Sequence, residues 1–245
     1  MYLDIEMLLR HLWVVGMTGA GKSSAYCFWI LNLLKLGYPI GLIDPNNDLV
    51  TDVVDQLAML PKKRWEQLVV WNIRNTVSAI GLNVVELKPG EDAPTKFAFL
   101  ASVIAKIFAA DPLITARMQR VMMHTFWLLS RFNLTLVEYQ KVLTDKNFRM
   151  QLVALLREEE YELKDYWLHE FTDNPKQVTD WTQSSLNKIG AMTANTSLKR
   201  ILGQPRSTLD FRLLMDEEIS LLVALCIGAL GEPGKFSESR KLSRT

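Results

Sequence analysis

The residues Gly16-Met17-Thr18-Gly19-Ala20-Gly21-Lys22-Ser23 constrain this chain more than any other feature. They spell G-x-x-x-x-G-K-S between an apolar run, Leu12-Trp13-Val14-Val15, and a longer one from Ser24 to Leu36. The first run reads as a strand over 12–15 and the second as a helix over 22–36, the strand–turn–helix setting that gives the pattern its meaning. Glycines let the backbone turn so that successive N–H groups face inward, toward a polyphosphate. The helix N-terminus adds partial positive charge at the same point. Lys22 would neutralise the β- and γ-phosphates, and the Ser23 hydroxyl would ligate Mg²⁺.

The remainder of the chain predicts the scaffold. Gly37 and Pro39 end the helix, and Ile40–Ile43 forms a second strand that stops at Asp44-Pro45. Asp48 is placed to cap a helix with apolar positions at Leu49, Val50, Val53, Val54 and Leu57. Leu68-Val69-Val70-Trp71 is a third strand, so residues 12–71 read βαβαβ, a parallel sheet covered by helices. After Lys88-Pro89-Gly90 the character changes to helices at 93–110, 115–131, 145–157 and 176–193. Another starts at a capping box of Thr135 and Glu138. On the 176–193 helix, Val178, Trp181, Ser185, Ile189 and Met192 share a face that reads as core packing. Strand character returns at Ile219–Leu225. The predicted organisation is an α/β core over 1–92, a helical insertion over 93–207, a return to the core over 208–232 and a disordered polar tail over 233–245.

Composition removes several classes. A hydrophobic content of 49% supports a sizeable core. A net charge of +1 gives no global attraction to nucleic acid, so any such contact is local. The two cysteines, Cys27 and Cys226, read as reduced core thiols, and the three histidines, His11, His124 and His169, do not cluster as metal ligands. No signal peptide is visible, and the apolar stretch Ile219–Leu230 falls short of the ~20 residues a membrane span needs. Arg117, Arg120, His124 and Arg131 fall in a narrow arc of one helix. That arc is either a solvated face with local ion pairs, the favoured reading, or a contact to DNA backbone phosphates. Lys199, Arg200 and Arg206 form a second, weaker patch.

The order of these motifs resembles the HerA/FtsK-type P-loop ATPases, and in particular the branch of coupling ATPases of conjugation and type IV secretion (TraG/TraD-like). The residues that carry the resemblance are Arg10-His11-Leu12, the loop itself, and Asp44-Pro45-Asn46-Asn47-Asp48-Leu49, where Asn47 stands for the usual glycine. Further matching segments are Leu134-Thr135-Leu136 to Phe148-Arg149, Tyr166–Phe171, and Asn187–Gly190 through Ile201–Gln204. The resemblance implies a RecA/ASCE-like fold, a mostly parallel sheet interrupted by an all-α insertion. It also implies an ATP-dependent motor that uses Mg²⁺, acts on DNA as a homo-hexamer and docks to a membrane secretion channel. The implied location is cytoplasmic, at the cytoplasmic face of the inner membrane. Residue by residue, Gly16 through Ser23 are implied to hold the nucleotide, with Ser24 touching the α-phosphate. The family's second acidic motif is expected after the strand at 219–225, where the chain reads Cys226-Ile227-Gly228-Ala229-Leu230 instead. A C-terminally truncated fragment that binds ATP better than it hydrolyses it is therefore expected. Asp44, at the end of a strand, either caps a turn or is the carboxylate through which Mg²⁺ could be held via water. Used that way, it supports the rival expectation of a nucleotide-dependent small-molecule kinase.

Overall fold

The computed structural model describes residues 11–75, 77–107, 112–171 and 175–226. They divide into two compact units, one running to Arg74 and resuming at Phe211, the other spanning Asn75–Asp210. By packing the divisions fall after 74 and after 210, whereas composition placed them after 92 and after 207. Segment 75–92 packs with the helical unit because its backbone is tied there. Leu82 N–H donates to Ile201 O, Gly81 N–H to Thr208 Oγ1 at 2.7 Å, and Ser207 N–H to Glu86 Oε2 at 2.8 Å.

The first unit is built on α1 (Lys22–Leu36), β1 (Gly41–Asp44), α2 (Asp48–Asp55), α3 (Lys62–Glu66) and β2 (Leu68–Asn72). The numbering runs in chain order through both units. The first unit is completed by α11 (Phe211–Asp216) and β3 (Ser220–Ala224). β3 lies between β1 and β2, parallel to both, with Leu42 and Val70 opposite Leu222. Alternation along β3 sends Leu222 and Ala224, both 0% exposed, into one apolar cluster with Cys27, Ile30 and Leu34 of α1 and Val50 and Val53 of α2. Helix α1 ends as its sequence predicts. Gly37 is left-handed at φ 95°, its N–H donates to Leu34 O, and Tyr38 N–H donates to Leu33 O.

The expected strand at 12–15 does not form. Residues 11–17 carry no regular structure, and Trp13 and Val15 are 87% and 81% exposed. Val and Trp favour strands only where a pleated partner half-buries them. Both sides of β3 are already taken, and this run pairs with neither outer edge.

The second unit comprises α4 (Ala93–Ile107), α5 (Pro112–Arg131), α6 (Tyr139–Thr144), α7 (Lys146–Ala154), α8 (Tyr161–Asp165), α9 (Pro175–Ala194) and α10 (Thr196–Leu202). The expected 93–110 helix is thus seen to Ile107, with 108–110 outside the described residues, as are the side chains of Val178 and Trp181 and the tail from 227 on. Helix α5 is the central rod, packing on α4, α6 and α9. Its Met118, Met122, Phe126 and Leu129 meet Phe97, Leu136, Tyr139 and Ile189 in a single core. The Thr135–Glu138 capping box forms, and it closes a short 3₁₀ turn, Leu136–Glu138, that runs into α6. Asp145 caps α7 by accepting from Phe148 N–H at 3.0 Å, and the expected 145–157 helix ends at Ala154.

Candidate functional site

The loop before α1 has the backbone its glycines predict. Gly19 and Gly21 lie at φ 85° and 81°, and open space surrounds the position of a Cβ at either residue. Ala20 N–H donates to Met17 O at 3.2 Å, closing the turn, and Gly21 is the left-handed N-cap of α1. The first helical bond runs from Ala25 N–H to Gly21 O, so the amides of Lys22, Ser23 and Ser24 precede the helical ladder.

This helix start is electrostatically incomplete. No side chain caps it, no acidic residue occupies its first turn, and a lysine stands at its first position. A cation at the positive end of the helix dipole is unfavourable by itself, and an anion at that point relieves it. Lys22 Nζ donates to Gly16 O at 2.5 Å and to Met17 O at 2.8 Å, so the ammonium arches back over the loop it follows. An ammonium has three donors, and these two bonds hold it at the loop mouth with the third in hand. Ser23 and Ser24 are exposed beside it. A polyphosphate with a bound Mg²⁺ fits this donor set of backbone amides, one ammonium and two hydroxyls.

Asp44 is placed as the cap of a turn. It is 7% exposed, and its Oδ1 and Oδ2 accept from Asn46 N–H and Val50 N–H, both at 3.0 Å. The carboxylate therefore fixes the turn after β1 and caps α2, the job expected of Asp48. Asn47 between them is left-handed at φ 76°, the conformation for which the family's glycine is suited. The sequence signal for this cap was present in the Asp-Pro-Asn spacing, since an Asp side chain commonly accepts from the amide two residues on.

The arginine arc of α5 separates into individual contacts. Arg120 pairs with Glu170, Arg131 with Glu160, and Arg117 has no partner among the described residues. His124 is buried, with its ring stacked on Tyr166 at 3.6 Å and Nδ1 2.8 Å from Arg120 O. A carbonyl only accepts, so Nδ1 carries the proton. Burial holds the His124 pKa below its usual value against the hydrogen bond to the Arg120 carbonyl; the Arg120 guanidinium lowers it further, and Glu170 and Glu162 act to raise it. Tyr166 belongs to a π-helical turn, Tyr166–Glu170, which periodicity did not reveal. The carboxylates that meet the arginines lie 29 and 50 residues along the chain, beyond the reach of local pattern. His169 is exposed, 3.9 Å from Asp165. Among the described residues no three His, Cys, Asp or Glu side chains gather as a metal site, and no helix is long and apolar enough to cross a membrane.

A small parallel sheet with a glycine loop leading into a helix makes the first unit an α/β one. Residues 1–103 match the family model described as Helicase HerA, central domain. This part of the chain is therefore similar to the HerA-type P-loop ATPases. No curated protein matches the chain, and no solved structure matches it.

Proposed function

We propose that this chain is the ATP-binding portion of a DNA-translocating motor ATPase of the conjugative or type IV secretion kind. The observation that carries the proposal is the start of α1. An uncapped helix with no acid in its first turn and a lysine at its first position is completed by a polyphosphate. In this reading Gly16, Gly19 and Gly21 shape the loop, while Met17, Thr18 and Ala20 contribute backbone to the cradle. Lys22 holds the β- and γ-phosphates, Ser23 ligates Mg²⁺, and Ser24 touches the α-phosphate. Mg-ATP bound there supplies the phosphoryl group whose transfer to water powers a motor of this family. The chain's own residues bind and orient that group.

The sheet and the helices of the second unit are read as a RecA/ASCE-like core with an all-α insertion. DNA as the moved polymer, a homo-hexamer as the working assembly and a membrane channel as the docking partner all belong to the same proposal. Their support is the HerA family match over the first 103 residues and the motif order that extends beyond it. Asp44 is less suited to a kinase-like metal role, because each of its oxygens already holds an amide.

The test is incubation of the 245-residue chain with Mg-ATP, with and without duplex DNA, following assembly by sedimentation and phosphate release in the same samples. Nucleotide-dependent assembly that DNA raises, with little phosphate release, is the expected result. A chain that stays monomeric and phosphorylates a small molecule would be a kinase instead.

A further inference from the structure

Two shallow grooves flank the Arg117–Arg120 step of α5, and neither belongs to the nucleotide loop. One is lined by Val121, Tyr166 and Glu170 beside the two arginines. The other is lined by Ala98 of α4 and by Ala116, Gln119 and Met123 of α5 beside the same two. Together they form a strip with aliphatic floors and guanidinium rims. In the first groove the chain shows what an arginine of this strip accepts, since the Glu170 carboxylate, from the end of the π turn, sits on Arg120. Among the described residues, the lining of the second groove includes no acidic side chain and Arg117 has no partner.

We infer that the groove between α4 and α5 docks an acidic amphipathic peptide segment of a partner protein, a carboxylate on Arg117 and apolar side chains over Ala98, Ala116 and Met123. Charge complementarity selects the sign of the partner, and the aliphatic floor selects peptide over nucleic acid. Bases bind single strands by stacking on open aromatic faces, and among the described residues lining the grooves the one aromatic ring, Tyr166, is stacked on His124 and buried. Duplex binding needs several free cations along the backbone, yet Arg120 and Arg131 are both held by carboxylates. The inference stands apart from the nucleotide loop and does not depend on ATP.

The full chain is titrated against three fluorescent probes: a helical peptide with glutamates and leucines on one face, the same peptide with lysines in place of glutamates, and a DNA duplex. The acidic peptide is expected to bind, more weakly as salt rises. R117E and A98E, at two exposed positions on opposite walls of the groove, should each weaken it about fivefold or more. E170Q, which frees Arg120, should tighten it. The inference is overturned if the lysine peptide binds as well as the acidic one, or if the duplex is the tighter ligand through Arg117. It is equally overturned if well-folded R117E or A98E binds undiminished, or if E170Q does not tighten binding.

Discussion

Single residues here act through the backbone as often as through their charge. Gly21 is held at φ 81° with open space around it, so Gly21→Ala meets a conformational cost without a clash. That cost is about 1–2 kcal/mol, read as a loss in denaturant midpoint. His124 makes a pH prediction. Its pKa is lowered in the folded chain, so as pH falls the unfolded chain takes up the proton first. The helical unit keeps its full stability above the ordinary value of 6.5 and loses stability as pH drops below it. His124→Phe should flatten that slope in melts recorded across mildly acidic pH, and an unchanged slope would place the titration elsewhere. The loop was legible from sequence because its residues meet locally. Asp44 was legible only as a choice between cap and metal ligand, because either role suits an Asp after a strand.

Elements follow the sequence where their ends are punctuated. Helix α1 runs over the predicted residues because the glycine loop opens it and Gly37 closes it. Helix α7 begins within a residue of its predicted start, capped by Asp145, but stops early, and no glycine or proline marks that end. The Thr135 side chain accepts from Val137 N–H and donates to Glu138 Oε2, which in turn accepts Thr135 N–H. Thr135→Ala should therefore destabilise the helical unit by about 1 kcal/mol, measured by chemical denaturation. The strand expected at 12–15 failed at the level of pairing. Apolar composition announces a strand, but a ladder partner is a property of the whole sheet. The π turn at Tyr166–Glu170 was hidden for a related reason, since it is shaped by aromatic packing against α5 and the residues that follow it.

At the scale of the molecule, a discontinuous α/β unit and a helical unit each have their own apolar core. Parallel pairing of β1, β3 and β2 was legible from the βαβ order, but the boundary near residue 75 was not. The 75–92 segment is short of regular structure, and its hydrogen bonds to residues 201–208 together with the burial of Val85 in the helical core reveal where it packs. Because the phosphate loop lies in the first unit, Mg-ATP at a hundred times its Kd should stabilise that unit by about 2.7 kcal/mol. Hydrogen exchange should show the added protection in α1 and the sheet and little change in α5 and α9.

The most direct test of the central claim is Mg-ATP binding by isothermal titration to the wild-type chain and to Lys22→Ala. The account predicts saturable binding by the wild type and its loss, or a weakening of at least about tenfold, in the variant, because removing Lys22 takes the loop's ammonium from the phosphates. Equal affinity in the two proteins would mean that the loop at Gly16–Ser23 is not where the nucleotide sits.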